Sequence, residues 1–367
     1  MKPKILVIML EFPQWKDASR WGYAANFGME FGLKASGAEY TIVPATHRYQ
    51  GHKPFWIDFV RELIGGQRYD QVWLEVVHSH IDDATMEFLS GLAPVRLGFC
   101  YESLELLPQE WEHNPNASQI RQEVLKKRLS ALTHIVHTDE YDGKALTDIH
   151  GLHSMAMPPG FVIPEHLIAK DYTPPQMQKG LFFGTLYGDR AQWLADPTLA
   201  GLIEYKERSP ELDTEWPQKF DELHTHALFL LNNKQATAHG LKLYIEAISR
   251  ARYECFKCWL QGLTQGLAVV NLPQWGRAYA SRVVEGMAAG RPVITQALQQ
   301  RPLSREAFID GEEILLYHTI EELGEHLRRL QKEPQFAKKI ACNALNKIRR
   351  LHTLEAYIPK LIEWAGQ

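Results

Sequence analysis

Along the first 140 residues, short runs that are apolar on both faces alternate with segments whose apolar positions recur every three or four residues. The runs fall at 4–10 (KILVIML), 40–45 (YTIVPA), 70–77 (DQVWLEVV), 95–102 (VRLGFCYE) and 133–138 (THIVHT), and the helical segments at 23–36, 55–65 and 116–132. A strand with no polar face has to be covered on both sides, which is the situation of a parallel sheet between two layers of helices. The pattern therefore predicts a doubly wound α/β domain.

The pattern breaks at 158–178, PPGFVIPEHLIAKDYTPPQMQ, where five prolines disfavour regular structure and mark a connection. It then restarts. KGLFFGTLYGDR at 179–190 reads as strand, glycine turn and helix entry; HALFLLN at 226–232, GLAVVNLP at 266–273, RPVITQ at 291–296 and EILLYHT at 313–319 read as further strands, and charged helices follow. Between 190 and 226 the pattern supports at most two short helices. The expected division is a first Rossmann-like domain at 1–165, a linker at 166–178 and a second such domain from 179 onward, in keeping with a 367-residue chain that exceeds one ordinary core.

Composition narrows the class. With 45% hydrophobic and 23% charged residues the chain is globular, and a formal net charge of −4 argues against a general nucleic-acid binder. The apolar run at the N-terminus is too short for a signal peptide or a membrane span. The four cysteines, Cys100, Cys255, Cys258 and Cys342, are then expected as reduced thiols in a cytoplasmic protein. Cys255 and Cys258 lack the second pair that zinc requires and read as helical thiols one turn apart.

The chemistry concentrates at 273–295, PQWGRAYASRVVEGMAAGRPVIT. A helix starting near 278–280 and stopping at Gly290 places Arg282 and Glu285 on one face near its first turns. A helix start after a strand and loop offers free N–H groups and a positive dipole end, which suit a phosphate, and an arginine adds a donor fork. A carboxylate there needs a neutral partner, and the vicinal hydroxyls of a ribose are one. The same spacing also allows a plain intrahelical ion pair between the two.

This stretch resembles the nucleotide-binding segment of GT-B glycosyltransferases, most closely the group 1 and spore-coat-like branch, in which an Arg-x-x-Glu-x-x-Ala-x-Gly pattern precedes a Pro-Val-Ile-Thr strand. Arg282, Glu285, Ala288 and Gly290 match it. The resemblance implies that Glu285 binds the ribose of a sugar nucleotide, with Arg282 and Ser281 beside it. It also implies that Gly184 and Arg190, in LFFGTLYGDR, approach the diphosphate, and that 346–367 forms a helix crossing back from the 179–345 domain onto the first one. Where larger relatives have Glu-x7-Glu, the first position here is Arg277.

In such a fold the acceptor and any base come from loops at the carboxyl ends of the first domain's strands, facing the cleft between the domains. The loop after the first strand carries Arg20, Trp21, Gly22, Tyr23 and Asn26, of which Gly22 is the expected cleft-lining residue. The loop after the third carries His78, His80, Asp82 and Asp83, the aspartates also suiting a helix start. The fourth is followed by Tyr101 and Glu102, the fifth by His137 and Asp139. Glu102 is the expected general base, with His78 and His137 as further catalytic candidates.

The expected function is transfer of a sugar from a nucleoside-diphosphate donor, UDP or GDP, to a hydroxyl of a surface glycan, lipid carrier or small molecule. No metal, no bound cofactor, no transmembrane segment and at most peripheral membrane contact are expected. A non-catalytic nucleotide- or glycan-binding relative and a sugar-nucleotide epimerase on the same architecture are the alternatives.

Overall fold

The computed structural model describes residues 2–10, 24–45, 56–77, 79, 81–157, 163–206, 237–275, 277–298 and 300–367, with scattered positions between 222 and 235. It contains two parallel sheets, one per half of the chain. The first has strands β1 (Lys4–Leu10), β2 (Glu39–Ala45), β3 (Gln71–Glu75), β4 (Val95–Cys100), β5 (His134–His137) and β6 (His153–Ala156) in the order β2-β1-β3-β4-β5-β6. The helices between them include α1 (Ala24–Ser36), α2 (Trp56–Ile64), α3 (Asp83–Ser90), α4 (Pro108–His113), α5 (Pro115–Ala131) and α6 (Asp142–Asp148).

The apolar-on-both-faces pattern has its reason in the packing. Leu6, Ile8, Val72 and Leu74 face one helical layer, with Val60, Leu63, Leu125 and Leu129. Their neighbours Ile5, Val7 and Trp73 face the other, with Met29 and Leu33. Alternate residues of one strand point to opposite faces, so both sets must be apolar.

The second sheet has β7 (Gly180–Phe183), β8 (Ile203–Lys206), β9 (Ala268–Asn271), β10 (Val293–Gln296) and β11 (Leu315–Tyr317), in the order β11-β10-β9-β7-β8. Its helices are α7 (Arg190–Ala195), α8 (Ala238–Leu263), α9 (Ser281–Ala288), α10 (Pro302–Glu306), α11 (Ile320–Lys332) and α12 (Pro334–Leu351). Two expectations are corrected here. Phe229 and Leu230, in the segment read as a strand, are helical, and the strand beside β7 is instead Ile203–Lys206. That strand is an edge, IEYK, half-buried along its length, so it lacks the apolar signature of its neighbours.

The last helix, α13 (Leu354–Ala365), leaves the second domain and packs on the first. Leu354, Ile358 and Leu361 are buried in the core that holds Ile5, Val7 and Met29. Burying each such side chain contributes about 1.5–3 kcal/mol, which makes the return crossing a strong tie between the domains. Gly32 on α1 allows the approach, since a Cβ there would overlap Ile358. The two passages of chain between the domains also bond each other: Ile163 N–H donates to His352 O at 2.9 Å and Leu354 N–H to Ile163 O at 3.1 Å.

Candidate functional site

In an open parallel sheet the strand order reverses at one point, and loops there diverge to leave a crevice at the carboxyl ends of the strands. In the second domain that point lies between β7 and β9. A cavity of about 190 Å³ lies there, lined by Gly184, Thr185, Tyr187 and Arg190 after β7, by Gln274 after β9, by the start of α9 and by Trp259 of α8.

The loop after β7 begins at Gly184, with φ 153°. A Cβ there would stand 2.7 Å from the Arg282 guanidinium, so glycine is needed both for the backbone and for the space. Across the cavity, α9 starts at Ser281 after Ala280, which provides no side-chain cap. The first N–H groups of α9 and the positive end of its dipole are left for a ligand.

Arg282 and Glu285 do not pair with each other. Arg282 Nη1 donates to Asn271 Oδ1 at 2.8 Å, and Asn271 Nδ2 donates in turn to Thr295 Oγ1 at 3.0 Å, so the ends of β9 and β10 aim the arginine. Its guanidinium lies over the Phe182 ring, 5.1 Å from the centroid, and its Nε has no partner. Burial and repulsion from Arg190, against attraction from Glu285, lower its pKa to about 10, so it stays cationic at neutral pH.

Glu285 is 1% exposed, on a helix whose Val283, Val284 and Met287 are buried as well. One carboxylate oxygen, Oε2, accepts the Trp259 indole N–H at 2.8 Å, while Oε1 has no hydrogen-bond partner. Burial drives its pKa up to about 7, against the lowering effects of the Trp259 N–H, the Arg282 charge and the Ser281 hydroxyl. A buried acceptor without a donor is costly, of order 1–3 kcal/mol, and native structures keep few.

Arg190 lines the same cavity but is largely committed to backbone. Its Nε donates to Pro273 O at 2.7 Å and its Nη1 to Thr185 O at 2.9 Å, and the guanidinium stacks over Tyr187 at 3.8 Å. It ties the loops after β7 and β9 together while adding positive charge to the cavity.

Side chains of the first domain approach from the other side. Glu102 is half exposed and paired with Arg121 Nε at 3.3 Å; its charge, with that of Glu110, acts on the Tyr187 hydroxyl after the opposing effects of burial and the two arginines. The His113 ring meets Trp275 edge-on at 4.9 Å, and Trp275 meets Tyr187 at 4.6 Å. Arg277, where larger relatives of the resembled family have glutamate, reaches across to Glu105 at 3.3 Å. Asp139 makes a bidentate pair with Arg301, at 2.6 and 3.1 Å, and Glu140 accepts the N–H of Ser304 at 2.8 Å.

The structure thus gathers Glu285, Arg282, Ser281, Gly184 and Arg190 at one cavity, with Glu102 on the domain opposite. His137 is buried; its Nδ1 donates to Asp139 O at 2.7 Å and Gly143 packs beside the Nε2 edge of the ring. It is not among the residues that line the cavity. Asp82 caps α3, accepting the Thr85 N–H at 2.7 Å. His78, His80, Gly22, Arg20, Trp21 and Tyr23 lie outside the described residues. Sequence reasoning did not single out Trp259, Tyr187 or Gln274 as cavity residues. Trp259 stands 26 positions before its partner on another helix, so no local spacing announces it.

Among the described residues no three His, Cys, Asp or Glu side chains are grouped to hold a metal ion, and no helix is long and apolar enough to cross a membrane.

Residues 244–363, about a third of the chain, match the model of a glycosyl transferase-like family. Three solved structures align over nearly the full length: sucrose-phosphate synthase from Thermosynechococcus elongatus (13% identity, 99% of this chain and 98% of that one, TM-score 0.56), an alpha-glucosyltransferase in complex with UDP and a 13-mer DNA containing an HMU base (11%, 100% and 100%, 0.60), and Anabaena HepE in complex with UDP and glucose (12%, 98% and 98%, 0.50). At these identities the likeness is one of fold. No curated protein matches the sequence. The chain thus has the two-sheet α/β fold of these glycosyltransferase structures along its whole length, and its segment 244–363 is similar to a glycosyl transferase-like family.

Proposed function

We propose that this protein transfers a sugar from a nucleoside-diphosphate donor to a hydroxyl group, with the cavity between β7 and β9 holding the nucleotide. The observation that carries the reading is Glu285: a buried carboxylate, half satisfied, with its open oxygen at a cavity that also holds an uncapped helix start and two arginines. A ribose diol donates hydrogen bonds to the carboxylate without the repulsion that a phosphate beside it would bring. The diphosphate then falls to the α9 N-terminus, Gly184 and Arg282, where N–H groups and a cation are preoriented.

In the transfer, the bond between the anomeric carbon and the diphosphate oxygen breaks, and the diphosphate leaves with the electron pair. The acceptor oxygen bonds to that carbon and its proton passes to a base. Arg282 and the helix terminus take up the charge on the leaving group, so we assign no metal to the step. Glu102 is the carboxylate we assign to the acceptor proton, since it stands on the first domain and its charge is felt at Tyr187 in the cavity wall. UDP bound in two of the similar structures supports a uridine nucleotide as the first donor to try. The sugar and the acceptor are left to a screen.

The test is calorimetric titration of UDP and GDP into the parent and into Glu285→Ala. The reading expects at least one to bind the parent, and on the order of 10- to 100-fold weaker binding to the variant. Equal affinity of parent and variant for the bound nucleotide would sink it. Glu102→Gln should keep nucleotide binding and lose turnover with whichever donor and acceptor pair the screen yields.

A further inference from the structure

We propose that Trp259 is a positioning residue for nucleotide binding: its indole N–H holds one oxygen of Glu285 so that the other faces the cavity ready to accept from a ribose hydroxyl. The inference rests on the reading of the cavity just given.

Three observations carry it. Trp259 is 4% exposed and lines the cavity, and its indole N–H donates to Glu285 Oε2 at 2.8 Å. Its ring is itself fixed, packed edge-on at 5.4 Å against Phe183, the last residue of β7, in the core beneath the cavity. And among the neutral side chains that act on Glu285, whose helix is otherwise buried and largely apolar here, the Trp259 N–H has the larger effect and the Ser281 hydroxyl, one turn earlier, the smaller. A glutamate in a helix has three side-chain torsions, and a single buried N–H bond removes most of that freedom before any ligand arrives.

The bond also fixes the charge state. Burial raises the Glu285 pKa to about 7, and the indole N–H is the strongest influence opposing that rise. The charged groups around the carboxylate are Arg282 on its own helix and, through Arg282, Arg190 on α7. Glu102 and Glu110 act on Tyr187. Trp259 therefore keeps a larger share of Glu285 ionised at neutral pH, in the form that accepts from two hydroxyls.

The experiment compares Trp259→Phe, which removes the donor and keeps an aromatic ring, though a smaller one, against Phe183, with Glu285→Gln and the double variant. UDP, GDP and their 2′,3′-dideoxy counterparts are titrated into each between pH 5.5 and 8.5. The parent should bind ribonucleotide more tightly as pH rises through about 7. Trp259→Phe should weaken ribonucleotide binding about 10-fold or more at neutral pH, move that rise to higher pH, and leave dideoxy binding nearly unchanged. In the double variant the two losses should not add, because both act through one carboxylate. A purely structural role for Trp259 would weaken both nucleotide types alike and leave the pH dependence in place; that result, or undiminished ribonucleotide binding, overturns the inference alone. A parent that binds neither UDP nor GDP overturns the reading of the cavity and the inference with it. Independent of ligand, the Trp259 indole N–H resonance should shift with a midpoint near pH 7 and lose that shift in Glu285→Gln; a resonance indifferent to pH in the parent would also count against it.

Discussion

Two buried carboxylates, Asp139 at the junction between the domains and Glu285 at the cavity of the second domain, are treated in opposite ways. Asp139 has both oxygens bound by Arg301, which comes from the other domain, and each side chain of the pair is at most 6% exposed. Glu285 has one oxygen bound to a neutral indole and the other unbound, with Arg282 three residues away turned to Asn271 instead. The first arrangement is complete in the free protein and holds the two domains together. The second is incomplete, and a buried group left incomplete at the rim of a cavity is one that a ligand can complete. The contrast separates a structural acid from a functional one on hydrogen-bond accounting alone.

The largest expected effect breaks the structural side. Arg301→Ala leaves Asp139 buried without its cation, and such a loss costs about 3–5 kcal/mol. Calorimetric melting should show it, together with a looser junction read as increased proteolysis of the linker. Arg301→Ala that melts with the parent would mean that the pair is not formed in solution.

Next in size is the dependence of stability on pH, where the two acids have opposite signs. Burial pushes Asp139 up, but the Arg301 and Ser103 hydrogen bonds outweigh it and hold its carboxyl below the ordinary value of 3.8. Its contribution is present above that value and is lost as pH falls through the depressed one. Glu285 is raised from 4.5 to about 7, so the folded state binds its proton more tightly than the unfolded chain does. Stability from this group is full below pH 4.5, declines as pH rises to about 7, and then levels, a loss on the order of 3 kcal/mol. Glu285→Gln should remove that decline and be more stable than the parent at pH 8, by denaturant titration. A parent and variant with parallel profiles from pH 4.5 to 7 would remove the basis for reading Glu285 as strained.

Part of this contrast was legible in the sequence and part was not. The parallel sheets were legible because β1 and β3 bury both faces and so carry unbroken apolar runs, and the Arg282–Glu285 helix was legible because its entry loop, small residues and Gly290 stop all lie within a few positions. What each side chain of the site bonds to was not, because Trp259, Asn271 and Arg301 come from elements distant in sequence. Asp139 and His137 looked alike as acids and bases after a strand. Only the approach of Arg301 from the other domain shows that Asp139 is already used, while His137 keeps one ring nitrogen, Nδ1, on Asp139 O. The edge strand Ile203–Lys206 was hard to see for another reason: its core-facing side is only Ile203 and Tyr205, alternating with Glu204 and Lys206, which is too short a run to stand out.

Smaller effects sharpen the functional side, since they act on binding. Arg282→Gln should weaken a nucleoside diphosphate about 10-fold or more while leaving the bare nucleoside, held through Glu285, nearly as before. Gly184→Ala should give the smallest change and the most local one. The added methyl would stand 2.7 Å from the Arg282 guanidinium, so the far end of that side chain has to move off the aim that Asn271 gives it. The backbone at φ 153° adds strain on the order of 1–3 kcal/mol for any other residue. The expected result is a few-fold loss of diphosphate affinity with nucleoside affinity unchanged, and a modest drop in melting temperature. If Gly184→Ala instead weakened nucleoside and diphosphate equally, the loop after β7 would be shaping the Glu285 side of the cavity as well, and the division of labour between the carboxylate and the arginine would have to be redrawn.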